Sequence, residues 1–432
     1  MTKRSSIVAC LLFLLGTSTA AAWTPPVVVP SVTHHTGKAA AQHQSQFQHP
    51  HDALSEHVQE WVSSRGQTVN EWFGVPPANA AEASGPPTKN EILTLQKAFA
   101  AFYGTQRDPE AALPLLDESV KAFERQPADE RAGLYRVRGD CKMALKDPVA
   151  AVEDYSMAID LLKLPEAKEK ADPAELPAST LGRARAIRSL GARATPEQAK
   201  SAVGDYKEAL ILNSRDDWDT EAEQIEDGAK TNPYAAWEYG MALRRNGQYE
   251  EAKAMHTFTS DLFDSIGDRP RSVISLLDAG VDAASAEAAG SASKGGEDAK
   301  SLLKRAISYT TTTESRDVSL LQRVVAKEGE GRIVLAAIEW ADKDKSLRAD
   351  AEKELSTACE RLDQLEQDAL SRGRKAPSST STALAVRFNI DDYPGALETS
   401  CSRITKNRDF QRDRLELPDL LQEKIQKLNQ LK

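Results

Sequence analysis

The sequence predicts an all-α fold in which helical pairs stack into a solenoid, and three observations support this prediction. From Asn90 onward, apolar residues recur at intervals of three and four, which is the period of an amphipathic helix. Pro and Gly are concentrated between these runs, and no set of segments alternates like the strands of a sheet. Aromatic residues make up only 6% of the 432 residues, as expected of helices that pack closely through Ala and Gly.

Helix starts recur along the chain as Asp or Thr followed by Pro. Residues 108–112 and 147–151 share the pattern Asp-Pro-x-Ala-Ala, and residues 195–198 are Thr-Pro-Glu-Gln. The Asp or Thr side chain accepts hydrogen bonds from free N–H groups of the first turn, and Pro has no N–H to leave unpaired. The Gln adds the second half of a capping box. We therefore expect a helix to begin at each of the three prolines.

These helix starts lead into series of small, large and small residues at intervals of four and three. The series are Ala112-Leu116-Ser119, Ala151-Tyr155-Ala158, Ala202-Tyr206-Ala209, Ala252-His256-Thr259 and Ala351-Leu355-Ala358. This spacing places each series on one helical face, where the small residues let a partner helix approach closely. The preceding helices carry their own small residue for the crossing, at Gly139, Ala184 and Gly240.

Two groups of these residues resemble a known repeat. The groups are Tyr135, Gly139, Ala151, Tyr155 and Ala158, and then Gly240, Gly247, Tyr249 and Ala252. They resemble the tetratricopeptide repeat (TPR), a helix-turn-helix unit of about 34 residues. Residues 232–240, 271–280 and 321–332 are similar to plant chloroplast repeat proteins found in the thylakoid lumen. The resemblance covers about residues 92 to 370 and implies a TPR-like α-solenoid of stacked helical hairpins, whose first helices line a concave, partner-binding face.

The predicted domain order places this solenoid between a leader and a C-terminal cap. We expect the TPR-like solenoid to span residues 90–372, followed by a linker at 373–383 and a helical capping segment at 384–432. Within the cap, residues 388–395 are predicted to form a turn and residues 417–431 an amphipathic terminal helix.

The N-terminus has the pattern of two successive targeting segments. Residues 1–22 have the basic start, the apolar core and the small residues of a secretory signal peptide, and the core is too short to span a bilayer. Residues 23–83 contain no acidic residue before Asp52, which is typical of a transit peptide. The join resembles the bipartite leader of plastid proteins in algae with secondary plastids, although those proteins usually carry Phe where this chain has Trp23.

The leader leaves the final compartment open. Residues 77–83 contain an Ala-x-Ala cleavage site of the kind used for export into the thylakoid lumen, but the usual apolar core before it is missing. The thylakoid lumen and the stroma are therefore both open. A secreted or endomembrane location is a third interpretation, which keeps the signal peptide and discards the transit peptide.

Charge and histidine content argue against several classes of function. The chain has 65 acidic and 55 basic residues, a net charge of −10, which argues against binding nucleic acid through its phosphates. Six of the seven histidines lie in the first 57 residues, so only His256 remains for the folded part. We predict no catalytic residue, no cofactor and no metal site, and we expect His256 to be a packed core residue.

The cysteines and the glycine-rich segment suggest structural roles. After removal of the leader the cysteines are Cys141, Cys359 and Cys401, and their spacing matches no zinc or redox motif. A disulfide between Cys359 and Cys401 is one of three pairings. Residues 329–331, Gly-Glu-Gly, lack the further glycine and the Lys of a phosphate-binding loop, so we interpret them as a helix break.

The concave face is the candidate binding site. The residues that the resemblance places there are Arg136, Asp140, Met143, Arg185, Arg188, Trp237, Met241 and Arg244. Arginines, methionines and a tryptophan suit an acidic segment with an apolar anchor. The alternative is that these arginines pair with glutamates of the chain itself. The known TPR groove that binds the C-termini of chaperones has Asn at the position that Asp140 occupies here. The Asp140 carboxylate would repel a terminal carboxylate, so this mode of binding is excluded.

Together these patterns predict a non-catalytic protein-protein interaction scaffold or assembly factor of the plastid. We expect a protein partner, no nucleic acid and no transmembrane segment. Two other hypotheses stay open: a secreted or endomembrane TPR protein, and a regulator or enzyme with an unrecognised site in the helical body.

Overall fold

The computed structural model describes residues 85–104, 107–215, 218–292, 297–315, 317–342, 344–375 and 399–431. The predicted signal peptide, transit peptide and cleavage site lie outside these residues. So do the turn expected at 388–395 and most of the predicted linker.

The described residues form α-helices joined by turns and a few short 3-10 segments, without a strand. The helices are α1 (Lys89–Tyr103), α2 (Pro109–Ala122), α3 (Ala128–Ala144), α4 (Pro148–Leu162), α5 (Pro165–Lys168), α6 (Glu175–Ser189), α7 (Pro196–Leu212), α8 (Glu221–Thr231), α9 (Pro233–Arg245), α10 (Tyr249–Ser265), α11 (Arg269–Ala289), α12 (Ala299–Thr310), α13 (Val318–Ala341), α14 (Arg348–Lys375), α15 (Cys401–Lys406), α16 (Arg408–Asp413) and α17 (Asp419–Lys427). The predicted all-α fold is confirmed.

The predicted helix starts are also confirmed, because α2, α4 and α7 begin at their prolines. The Asp108 carboxylate accepts from the backbone N–H of Ala111 at 3.0 Å. Thr195 and Gln198 form the full capping box, each side chain accepting from the other residue's backbone N–H. These bonds satisfy donors that have no partner within the helix.

The chain divides into two compact units. Unit 1 comprises the described residues up to Cys141 together with residues 157–172, and α1 packs against α2 within it. The α1 side chains Leu95 and Phe99 and the α2 side chain Leu116 are fully buried there.

Unit 2 comprises residues 142–156 and the described residues from Pro173 onward, and its helices pack as consecutive neighbours. Helix α6 packs on α7, α9 on α10, α10 on α11, α11 on α12, and α13 on α14. This order of neighbours is that of a solenoid-like all-α fold. The helix expected at residues 417–431 is α17 followed by a 3-10 turn, and α17 packs on α11 and α13.

Small residues set the close crossings in unit 2, as the sequence predicted. His256 on α10 is fully buried and faces Gly240 on α9, where a Cβ atom would lie only 2.6 Å from His256 Nε2. The crossing of these two helices therefore requires a residue without a side chain at Gly240.

The predicted helix break at residues 329–331 is wrong, because α13 continues through both glycines from Val318 to Ala341. A Cβ atom at Gly329 would lie 2.6 Å from Leu362 Cγ on α14. The glycine allows α14 to pack closely on α13, and that contact outweighs its low helix propensity.

Replacing Gly240 by Ala tests the close crossing of α9 and α10. We expect Gly240→Ala to lower the free energy of unfolding by about 1–2 kcal/mol, because the cost of overpacking exceeds the gain in helix propensity. Gly204 on α7 is the matched control, since nothing lies within 4 Å of a Cβ atom built there. Gly204→Ala should stabilise by about 0.5–1 kcal/mol. Urea unfolding measures both values, and equal effects would contradict the packing argument.

Candidate functional site

The predicted groove residues of unit 1 form an internal ion pair. Arg136 Nη1 lies 3.0 Å from Asp140 Oδ2, one helical turn along α3. The hydroxyl of Tyr103 donates to the same carboxylate oxygen over 3.4 Å. Arg136 is 9% exposed, so only part of this pair is accessible to a partner.

In unit 2, Arg185 and Glu238 join α6 to α9 at the surface. Arg185 Nε lies 3.0 and 2.9 Å from the two carboxylate oxygens of Glu238, and its Nη2 lies 2.8 Å from Oε2. Desolvation disfavours the charged guanidinium, but the Glu238 carboxylate outweighs it and raises the pKa of Arg185. The alternative interpretation, pairing with a glutamate of the chain, is thus confirmed for this arginine.

Beside this pair, the guanidinium of Arg188 lies over the ring of Trp237, 5.9 Å from its centroid. Trp237 is partly buried and packs against the core of unit 2. Met143 is also partly buried, against a small cluster that contains Tyr155 and Ala186. Arg188 is itself buried, with 6% exposed, whereas Arg185, Trp237 and Glu238 are partly exposed. We call Arg185, Arg188, Trp237 and Glu238 the α6–α9 surface, in which Arg188 supports the Trp237 ring from within.

Two predicted groove residues lie in the core instead. Met241 and Arg244 are each 1% exposed, so they cannot line a surface on which a partner binds. Met241 belongs to the main apolar cluster of unit 2. Arg244 projects toward α11, where two carboxylates neutralise its charge. The resemblance placed these residues on the correct helix, but it did not show which neighbouring helix covers them.

Arg244 is the centre of a buried cluster of charged side chains. Its Nε lies 2.5 Å from Asp282 Oδ1, and its Nη2 donates to the carboxylate and the carbonyl of Asp278 at 3.1 and 2.9 Å. Burial opposes the charge, but Asp282 and Asp278 outweigh it and raise the pKa of Arg244. All three side chains are fully buried.

Asp278 connects this arginine to α13 and to the α6–α9 surface. Its Oδ1 accepts from Lys327 Nζ at 2.6 Å, and its Oδ2 accepts from the Trp237 indole N–H at 3.0 Å. Lys327 Nζ also lies 2.9 Å from Glu330. Burial by itself would raise the pKa of Asp278, but Lys327 and Arg244 outweigh it and lower this pKa well below its usual range.

His256 completes the cluster with a contact on each ring nitrogen. Its Nδ1 lies 2.5 Å from Asp282 Oδ2, and its Nε2 lies 3.2 Å from the carbonyl oxygen of Trp237. Asp282 and the Trp237 carbonyl both offer acceptor oxygens, so His256 can donate to either of them according to its tautomer. The prediction that His256 is a core residue is confirmed.

The buried acids and cations of this cluster offset one another. Three acids, Asp278, Asp282 and Glu330, face the two cations Arg244 and Lys327, and His256 lies against Asp282. This pairing reduces the large cost of an uncompensated charge in the interior. The cluster joins α9, α10, α11 and α13, whose relative positions it therefore fixes.

The buried cluster is closed to solvent, because its members are at most 2% exposed in side-chain area. These groups therefore contact one another and not solvent. Asp278, Asp282, Lys327 and Glu330 are not among the site residues predicted from the sequence. A signal was present: Asp278 and Asp282 are four residues apart on α11 and are the only charged residues between Ser272 and Ala286.

The cysteines have two different environments. Cys359 on α14 and Cys401 at the start of α15 form a disulfide with their Cα atoms 4.9 Å apart, one of the three pairings that the sequence allowed. Cys141, in unit 1, is buried and donates to the carbonyl of Pro109 at 3.3 Å.

Among the described residues, no group of three or more His, Cys, Asp and Glu side chains could hold a metal ion. No helix in the same part of the chain combines the length and apolar character needed to cross a membrane. No protein-family model matches the chain, and no curated protein matches its sequence. Function is therefore inferred from geometry and from sequence patterns.

Replacing Arg244 by Met tests the importance of the buried cluster. We expect Arg244→Met to lower the free energy of unfolding by about 3–5 kcal/mol, because it leaves buried carboxylates uncompensated. Arg185→Met is the matched control, since the Arg185 side chain is 39% exposed and its ion pair contributes about 0–1 kcal/mol. Urea unfolding at neutral pH measures the difference. Similar losses in the two variants would contradict the assignment.

Proposed function

We propose that this chain is a non-catalytic scaffold or assembly factor that binds a partner protein on the α6–α9 surface. The observation that carries the proposal is that the charged groups at the centre of unit 2 are sealed into a structural cluster, while a charged and aromatic surface lies directly above it. Consecutive helical pairs fixed in this way present a preformed surface, and a preformed surface lowers the entropic cost of binding.

The chemistry of the α6–α9 surface fits an acidic partner segment with an apolar anchor. Arg185 uses Nε and Nη2 on Glu238, while its side chain remains 39% exposed. A guanidinium has five N–H donors, so Nη1 would be available to a partner carboxylate. Trp237 supplies an aromatic ring. Its indole N–H donates to the buried Asp278, and Arg188 covers one of its faces. Arg and Trp are the side chains that most often dominate interface energies.

The resemblance of the sequence to the TPR supports the same proposal. Small residues at the α9–α10 crossing and consecutive packing of neighbours are features of repeat proteins whose surfaces bind other proteins. We therefore propose a TPR-like mode of action. Three residues of the α6–α9 surface, Arg185, Arg188 and Trp237, are among those that the resemblance assigns to the concave face.

The leader and the disulfide support a location in the plastid, with the thylakoid lumen preferred to the stroma. Residues 1–83 carry the two targeting patterns, and the bond between Cys359 and Cys401 favours a compartment in which disulfides persist. The same disulfide equally favours a secreted or endomembrane protein, which is the second candidate.

Partner binding is tested by capture and then by a defined variant. The full chain is used to isolate partners from plastid extract, and the captured protein is identified, purified and titrated against wild type and Arg185→Glu by calorimetry. We expect the charge reversal to weaken binding at least about tenfold, because it replaces the cation that faces an acidic partner segment by a charge of the same sign as that segment.

Arg412→Glu is the control for that titration, because Arg412 is exposed and lies far along the chain on α16. This variant should bind within about twofold of wild type, as expected of a charge outside the interface. Equal affinities of all three proteins would remove the α6–α9 surface from the proposal, and failure to capture any specific partner would remove the scaffold function itself.

The location is tested separately with the leader alone. Residues 1–90 fused to a fluorescent protein should deliver it to the plastid of an alga with secondary plastids, because both targeting patterns lie in that segment. Fluorescence in the secretory pathway would favour the second candidate. A fusion of residues 23–90, which lacks the signal peptide, is the control and should stay in the cytosol.

A further inference from the structure

We propose that Glu238 is a specificity-determining residue of the α6–α9 surface, an internal occupant of the Arg185 guanidinium with which an acidic partner must compete. Because of this competition, the surface selects a partner segment that carries several carboxylates beside an apolar side chain, and it discriminates against segments with a single acid. The inference rests on the proposed binding function and defines the chemistry of the partner more closely.

Glu238 holds Arg185 in the geometry that a bound carboxylate would adopt. Its two oxygens lie 3.0 and 2.9 Å from Nε, and Oε2 lies 2.8 Å from Nη2, so the carboxylate lies along one edge of the guanidinium. Arginine generally recognises carboxylates through such planar, two-pointed contacts. The chain therefore already carries an acid at the place where the partner's acid is expected to bind.

Of the predicted groove arginines in unit 2, Arg185 is the one whose acid can be exchanged. The Arg185 side chain is 39% exposed and that of Glu238 is 15% exposed, so Glu238 can rotate into solvent when another carboxylate takes its place. Arg244 is paired with acids that are 0% exposed, and Arg188 is itself buried. An ion pair at the surface contributes little net stability, because water also solvates both groups. Exchange at Arg185 therefore costs the fold little.

The α6–α9 surface also fixes how far apart the acid and the apolar group of the partner should be. Arg185 and Arg188 are three residues apart on α6, so they lie on the same face of that helix. Arg185 contacts Glu238, and Arg188 contacts the ring of Trp237. The carboxylate site and the aromatic ring are therefore about one helical turn apart. Acidic and apolar side chains that are close together in the partner chain match this spacing.

A single partner carboxylate gains little at this site, because Glu238 opposes it at either edge of the guanidinium. On the edge formed by Nε and Nη2, it only replaces one carboxylate by another. On the outer edge, formed by Nη1 and Nη2, it lies beside the negative charge of Glu238. Further acids on the partner, and contact with Trp237, must supply the remaining affinity. A charge that opposes weak ligands in this way raises specificity at the expense of affinity.

Binding of a defined peptide to the full chain tests the role of Glu238. The probe is acetyl-Glu-Glu-Leu-Glu-Glu-amide, titrated by calorimetry at low salt against wild type and Glu238→Gln. We expect Glu238→Gln to bind this peptide at least about fivefold more tightly, because the internal competitor has lost its charge. The gain should shrink as salt is added, since salt screens partly exposed charges. Equal or weaker binding by Glu238→Gln would overturn the proposal.

Two further variants identify the source of the gain. Glu221→Gln removes an exposed charge on α8 that pairs with Lys207, and it should bind the peptide within about twofold of wild type. The double variant with Arg185→Met and Glu238→Gln should lose the gain, because the guanidinium for which the two acids compete is absent. A gain that persists without Arg185, or that Glu221→Gln reproduces, contradicts the assignment to Glu238. Urea unfolding of each variant checks that it is folded under the conditions of the titration.

Two control peptides separate this proposal from the proposed function. Wild type should bind acetyl-Gln-Gln-Leu-Gln-Gln-amide and its analogue with one Glu equally weakly, and Glu238→Gln should not bind the neutral peptide more tightly than wild type does. If wild type prefers the acidic peptide but Glu238→Gln binds it no more tightly, the competition is wrong and the binding surface stands. If neither protein distinguishes the acidic from the neutral peptide, the acidic partner class of the proposed function is wrong as well.

Discussion

Five charged side chains and a histidine leave water together where α9, α10, α11 and α13 meet, and this burial constrains the rest of unit 2. A charge in the interior is tolerated only when an opposite charge and hydrogen-bond donors or acceptors surround it at short distance. Arg244 meets this condition only when the two turns of α11 that carry Asp278 and Asp282 face it. Lys327 meets it only when α13 is rotated so that its side chain reaches Asp278. These ion pairs therefore fix the rotation of each helix about its own axis. Apolar packing alone would constrain that rotation less strictly.

Trp237 relates this constraint to the proposed function. Its indole N–H donates to Asp278, its carbonyl oxygen faces His256, and its partly buried ring lies against the buried guanidinium of Arg188. One residue therefore belongs both to the buried cluster and to the surface that we propose for the partner. An interface anchored in a rigid core loses little conformational entropy on binding, which suits a scaffold better than a reactive site would.

The sequence signals for helix starts were reliable, because the hydrogen bonds of a helix cap involve only neighbouring residues. The helix starts at Pro109, Pro148 and Pro196 follow from caps formed within four residues, so the sequence predicted them correctly. Gly329 was misinterpreted for the converse reason. A glycine weakens an isolated helix, but here Leu362 of α14 packs against Gly329. No residue close to 329 in the sequence indicates that this contact exists. Arg244 and Met241 were misplaced likewise, because burial depends on helices that lie elsewhere in the chain.

The sequence by itself determined that the chain is helical, where several helices begin and that small residues would lie at their crossings, because caps and periodicity act over one or two turns. It also left open whether the arginines face a partner or the chain's own acids, and which cysteines pair. Only the tertiary structure decided that Arg185 pairs with Glu238, that Arg244 is enclosed by Asp278 and Asp282, and that Cys359 is bonded to Cys401. These choices depend on long-range packing, which sets the distance between groups that the sequence separates by tens of residues.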